Sequence, residues 1–98
     1  MGYEIALAGG ISIPVGTSQC WPTFTEWAAK LDPKTYPLLV RFAVTGKVRD
    51  PNATAKEIDA ALIALDAPES VQDTGDRVSA ILECHAGGKP AYIHNGMS

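Results

Sequence analysis

Pro37-Leu38-Leu39-Val40-Arg41-Phe42-Ala43-Val44-Thr45-Gly46 is the stretch whose reading decides the fold. Leu38, Val40, Phe42 and Val44 alternate with Leu39, Arg41, Ala43 and Thr45, as a strand would. Read by helical turns, Leu38, Leu39 and Phe42 share one face. Pro37 then suits a first helical turn and Gly46 the residue just past a helix end. We read a helix, with a strand as the competing reading.

Upstream, Tyr3, Ile5 and Leu7 alternate with Glu4, Ala6 and Ala8, and Ile11, Ile13 and Val15 alternate again after Gly9-Gly10. Both patterns predict half-buried strands. A two-residue Gly-Gly loop would mix the two faces. A three-residue loop, Ala8-Gly9-Gly10, pairs Leu7 with Ile11, Ile5 with Ile13 and Tyr3 with Val15, and a glycine supplies its left-handed position. Pro14 has no amide for a ladder, so the second strand is expected to be an edge there. Gly16 to Pro22 reads as a connector.

Three Thr-x-x-acid patterns then suggest helix starts: Thr23 with Glu26, Thr54 with Glu57, and a weaker one at Thr74, where Asp73 is the better cap and Asp76 sits third. Phe24, Trp27, Ala28 and Leu31 form one stripe, ended by Asp32-Pro33. Residues 47–52 read as a loop. Ile58, Ala61, Leu62 and Leu65 form a second stripe, with Lys56, Asp59 and Asp66 opposite. Val78, Ile81, Leu82 and His85 form a third, ended by Gly87-Gly88. Ala91-Tyr92-Ile93 is a short last strand, with a turn at Asn95-Gly96. The expected architecture is one α+β domain over residues 1–98. A β-hairpin and a C-terminal strand form a small antiparallel sheet, with three to four helices packed on one face.

Ninety-eight residues with 46% hydrophobic and 19% charged content describe an ordinary globular domain. No apolar run approaches the ~20 residues of a membrane span. No basic region precedes an apolar run at the start, although a processed chain would look the same. A cytoplasmic setting with Cys20 and Cys84 as reduced thiols is the expectation. Charge is uneven. Lys30, Lys34, Arg41, Lys47 and Arg49 against Glu4, Glu26 and Asp32 give +2 for residues 1–49. Lys56, Arg77 and Lys89 against Asp50, Glu57, Asp59, Asp66, Glu69, Asp73, Asp76 and Glu83 give −5 for the rest. With no basic stripe in the sequence, a nucleic-acid ligand is not expected, whereas a basic protein partner is. The plain alternative is a solvated acidic surface.

Reactive residue types gather at Glu83-Cys84-His85 and at His94-Asn95. Two cysteines and two histidines could form a zinc set, but structural sites use close ligand pairs and these residues are not so spaced. A nucleophilic Cys84 with His94 and Asn95 is the competing enzymatic reading, weakened because the thiol sits near a helix C-terminus. Neighbouring carboxylates read as caps and solvent-facing groups. Gly9-Gly10 leads into a strand, so it lacks the helix N-terminus of a phosphate loop. Trp27 reads as core; Trp21 reads either as an interface anchor or as a residue folded over the helix it precedes.

The segment Asp32-Pro33-Lys34-Thr35-Tyr36-Pro37-Leu38-Leu39 through Gly46, followed by Glu57-Ile58-Asp59-Ala60-Ala61-Leu62, resembles small bacterial immunity proteins of polymorphic toxin systems. Those α+β proteins carry an aromatic-Pro-Leu helix, a turn and an acidic helix. The resemblance implies a stoichiometric inhibitor that plugs a partner toxin. The expectation is therefore a non-enzymatic interaction domain with no cofactor, no metal and no catalytic residues. Its partner-binding set is Asp59, Asp66, Glu69, Asp73 and Asp76. The alternatives are a small Cys84 enzyme and a homo-oligomeric subunit, with strand 11–15 as an edge for a homodimer.

Overall fold

The Leu7 amide donates to the Ile11 carbonyl at 2.8 Å and the Gly10 amide to the Leu7 carbonyl at 3.0 Å, closing the expected three-residue loop. Gly10 supplies its left-handed position, with φ at +84°. In this computed structural model, which describes residues 2–17 and 19–95, the loop joins β1 (Gly2–Ala6) to β2 (Ser12–Thr17). Ile5 pairs with Ile13 as expected. The expected Tyr3–Val15 pair does not form. A bulge makes Glu4 face Pro14 and Tyr3 face Gly16, leaving Val15 as the extra residue, 1% exposed. Alternation along the ladder makes 4–14 a non-hydrogen-bonded pair, so the Pro14 nitrogen faces the open edge of the sheet. A proline there also blunts strand addition along β2.

β4 (Ala91–Asn95) lies between β1 and a two-residue β3 (Lys47–Val48), giving the antiparallel order β2-β1-β4-β3. The sequence reading took β3 for loop and ended the last strand two residues early. Asn95 is still in the strand, and Gly96 of the expected turn lies outside the described residues. Ile5, Val48 and Ala91 are buried on one side, with Tyr3, Ile13 and Ile93 packed against the same core. By alternation Glu4, Ser12, Lys47, Tyr92 and His94 occupy the other side. The protein is thus α+β: among the described residues the helices Cys20–Ala29, Pro37–Thr45 and Glu69–Cys84 pack against the sheet, and the helix Pro51–Ala64 packs on the second and third of these.

All the helices but one begin before the expected point. α1 (Cys20–Ala29) starts three residues ahead of Thr23. This places Trp21, Phe24 and Ala28 on one buried stripe. Burying a large apolar side chain gives about 2–3 kcal/mol, against about 1 kcal/mol for a cap. Pro22 in the first turn needs no amide partner. Thr23 instead donates to the Gln19 carbonyl at 3.0 Å. Glu26 pairs with Lys30 at 3.5 Å on the exposed surface. The helix ends at Ala29, and Asp32 builds a turn by accepting from the Lys34 amide and the Thr35 hydroxyl.

α2 (Pro37–Thr45) has Pro37 at its start and Gly46 left-handed at its end, with φ at +73°, so the helical reading of the deciding stretch holds. A β-carbon at Gly46 would lie 2.7 Å from the Ile93 Cγ2, which ties this helix end closely to β4. α3 (Pro51–Ala64) is capped by Asp50, whose carboxylate accepts from the Ala53 amide at 3.1 Å, rather than by Thr54. Thr54 is buried and donates to the Asp50 carbonyl. Ile58, Ala61 and Leu62 are buried as expected, but Leu65 lies beyond the helix and is exposed. α4 (Glu69–Cys84) starts four residues before Asp73, because Val71 is buried on the stripe that continues through Gly75, Val78 and Leu82. Gly75 lets α4 approach α3 and α1: a β-carbon there would meet Leu62 Cδ1 at 2.8 Å and Phe24 Cε1 at 3.2 Å. That close approach accounts for a glycine in mid-helix, where it costs about 1 kcal/mol against alanine.

Candidate functional site

α4 begins at Glu69, and helical spacing carries one of its faces through Asp73 and Asp76, at steps of four and three residues. All three are exposed. No ion pair engages any of them among the described residues. Asp66 is exposed in the α3–α4 turn, in a left-handed conformation with φ at +47°. Asp59 departs from this set. It is half-buried between α3 and α4, where its Oδ1 accepts from the Ser79 hydroxyl at 2.8 Å. Ser79 is itself buried, so Asp59 fastens two helices instead of standing in solvent with the others.

Two residues of the enzymatic alternative, Cys84 and His94, lie on different elements, α4 and β4. Cys84 is the exposed last residue of α4, and His85 beside it is exposed rather than part of the core stripe. No hydrogen bond joins Cys84 to His94 among the described residues. His94 stands on the open sheet face, its Nε2 3.5 Å from Glu4 Oε1 and 3.3 Å from Ser12 Oγ. Serine, histidine and carboxylate together suggest a catalytic relay, but a relay needs one partner on each ring nitrogen. Here both approach the same nitrogen, so the carboxylate cannot orient the ring while the serine gives up a proton to it. The Asn95 side chain lies outside what is described. No group of three or more His, Cys, Asp or Glu is arranged to hold a metal ion among the described residues. In the native protein at neutral pH, iodoacetamide is expected to label Cys84 before half-buried Cys20, as read by peptide mass spectrometry. A Cys84 that stays unlabelled until unfolding would contradict its exposure. A rate far above that of glutathione would favour the enzymatic reading.

Folding also assembles a feature the sequence reading missed. Gly46 reverses the chain between Arg41 on α2 and Lys47 on β3, and Arg49 follows at once. The three cations line a groove of about 710 Å³. Its floor includes Leu38, Val48 and Thr54, and Pro90-Ala91-Tyr92 forms one side. No carboxylate lines it, and none of the three cations is ion-paired among the described residues. The signal in the sequence was the positive first half and the glycine between Arg41 and Lys47. What could not be seen was that a strand 45 residues later would complete the wall.

The fold and these two surfaces define an α+β domain with an acidic helix face and a basic groove. No helix among the described residues is long and apolar enough to cross a membrane. The chain matches no family model, no curated protein and no solved structure.

Proposed function

We propose that the chain is a non-enzymatic binding domain acting by protein–protein contact: a cytoplasmic, immunity-type inhibitor that docks a basic partner toxin through the acidic face of α4. The observation that carries this reading is the ridge of Glu69, Asp73 and Asp76, exposed and without a paired cation among the described residues. Like charges three and four residues apart weaken a helix by roughly 0.2–0.5 kcal/mol per pair. Only Glu69, in the first turn, is favoured by the helix dipole. A complementary basic surface would relieve the repulsion and steer association. Asp66 extends the ridge at the head of the helix, whereas Asp59 is held by Ser79 and contributes to the fold.

The test is capture from a lysate of the source organism, comparing the native chain with an Asp73→Lys, Asp76→Lys double variant. Both positions are exposed, so the variant should fold. The native chain is expected to retain one basic partner stoichiometrically at low salt and release it as salt rises, and the variant to retain about ten-fold less. Equal retention by the two would overturn the acidic-face reading.

A further inference from the structure

The groove beside β3 has backbone chemistry as well as charge. The Ile93 amide donates to the Gly46 carbonyl at 2.7 Å, so the Gly46 carbonyl points toward β4. Lys47 is opposite Tyr92 and Val48 opposite Ala91. By the alternation of an antiparallel ladder, the backbone groups of Lys47 and Arg49 then point away from β4, into the groove. The Lys47 amide confirms this direction by donating to the Thr45 hydroxyl at 3.2 Å. The Lys47 carbonyl and the Arg49 amide take no hydrogen bond among the described residues. They are the acceptor and donor that an added antiparallel strand would use around one residue facing Val48.

The geometry points to a docking site for an extended acidic peptide, added as a strand along the free edge of β3. The residue facing Val48 would be apolar, since it lies over Val48 and Leu38. Its two neighbours would share the side of Lys47 and Arg49, so carboxylates there complete two ion pairs. Arg41, lining the groove from α2, takes a further carboxylate. Acid-apolar-acid is therefore the recognised pattern. A polyphosphate chain is the less suitable occupant, because it has no N–H to give the Lys47 carbonyl and no apolar side chain to lie over Val48 and Leu38. The groove is separate from the α4 ridge and stands whether or not that ridge binds a toxin.

The test uses the full chain and the peptide acetyl-Thr-Glu-Val-Glu-Val-Glu-Thr-amide, followed by calorimetry and by amide chemical shifts. Saturable binding is expected, with the Arg49 amide among the most shifted. A Lys47→Glu, Arg49→Glu variant, at two exposed positions, should bind at least about ten-fold more weakly. N-methylating the glutamate that follows each valine should also abolish binding, since the Lys47 carbonyl accepts from the residue after the one facing Val48. No binding at millimolar peptide would overturn the proposal, as would equal binding by the variant or by the methylated peptide. Tighter binding of inorganic phosphate or of a uridine oligonucleotide at the same amides would overturn it in favour of an anion or RNA site.

Discussion

Replacing Trp21 by alanine is expected to lower the unfolding free energy by about 3–5 kcal/mol. Trp21 is 6% exposed, and its ring lies 6.1 Å from Tyr3, 5.5 Å from Phe24 and 5.4 Å from Phe42, measured between centroids. It thus joins β1, α1 and α2 at one point. A domain of this size has a total stability of about 5–15 kcal/mol, so the variant should be partly unfolded before much urea is added. Urea titration followed by far-ultraviolet dichroism measures the loss, and Trp27 remains as a fluorescent probe. Trp27→Ala, at a half-buried position, should cost less. A Trp21→Ala loss below about 1 kcal/mol, the ordinary size of a surface effect, would mean that α1 does not insert this ring into the core.

Glu57→Ala should produce the second large effect, about 2–3 kcal/mol. Tyr36 gives no side-chain cap to α2. The cap arrives from another helix: Glu57 Oε1 accepts from the Leu38 amide at 2.9 Å and the Leu39 amide at 3.1 Å. A carboxylate at a helix N-terminus satisfies orphan amides and complements the dipole together. Glu57→Gln retains an acceptor without the charge and should lose only about 1 kcal/mol. Hydrogen exchange separates this role from simple packing. The Leu38 and Leu39 amides should exchange much faster in the alanine variant, and unchanged exchange there would remove Glu57 from the capping role.

Glu57 also shows why parts of this fold were legible and others were not. The hairpin loop, Pro37 and Gly46 were readable because backbone stereochemistry at single residues decides them. The helix starts were misread because Thr-x-x-acid is a short pattern worth about 1 kcal/mol, and burial of Trp21 or Val71 outweighs it. All three threonines do the same thing inside their helices, donating back to a carbonyl four residues earlier, at Gln19, Asp50 and Ser70. The acids thereby released took unrelated tasks. The basic groove was beyond sequence reasoning for another reason. A two-residue strand has no period to detect, and Lys47 meets Tyr92 only through tertiary pairing.

The position of β4 governs when this sheet can exist during synthesis. β1 receives β2 after a three-residue loop, but its other neighbour is encoded at positions 91–95. A nascent chain therefore emerges with a hairpin whose inner edge stays bare while four helices are translated. At about 5–20 residues per second, that interval lasts seconds, long beside the microseconds in which hairpins and helices form. Chain arrest before residue 91 would leave the backbone groups of Glu4 and Ala6 open to any extended segment nearby.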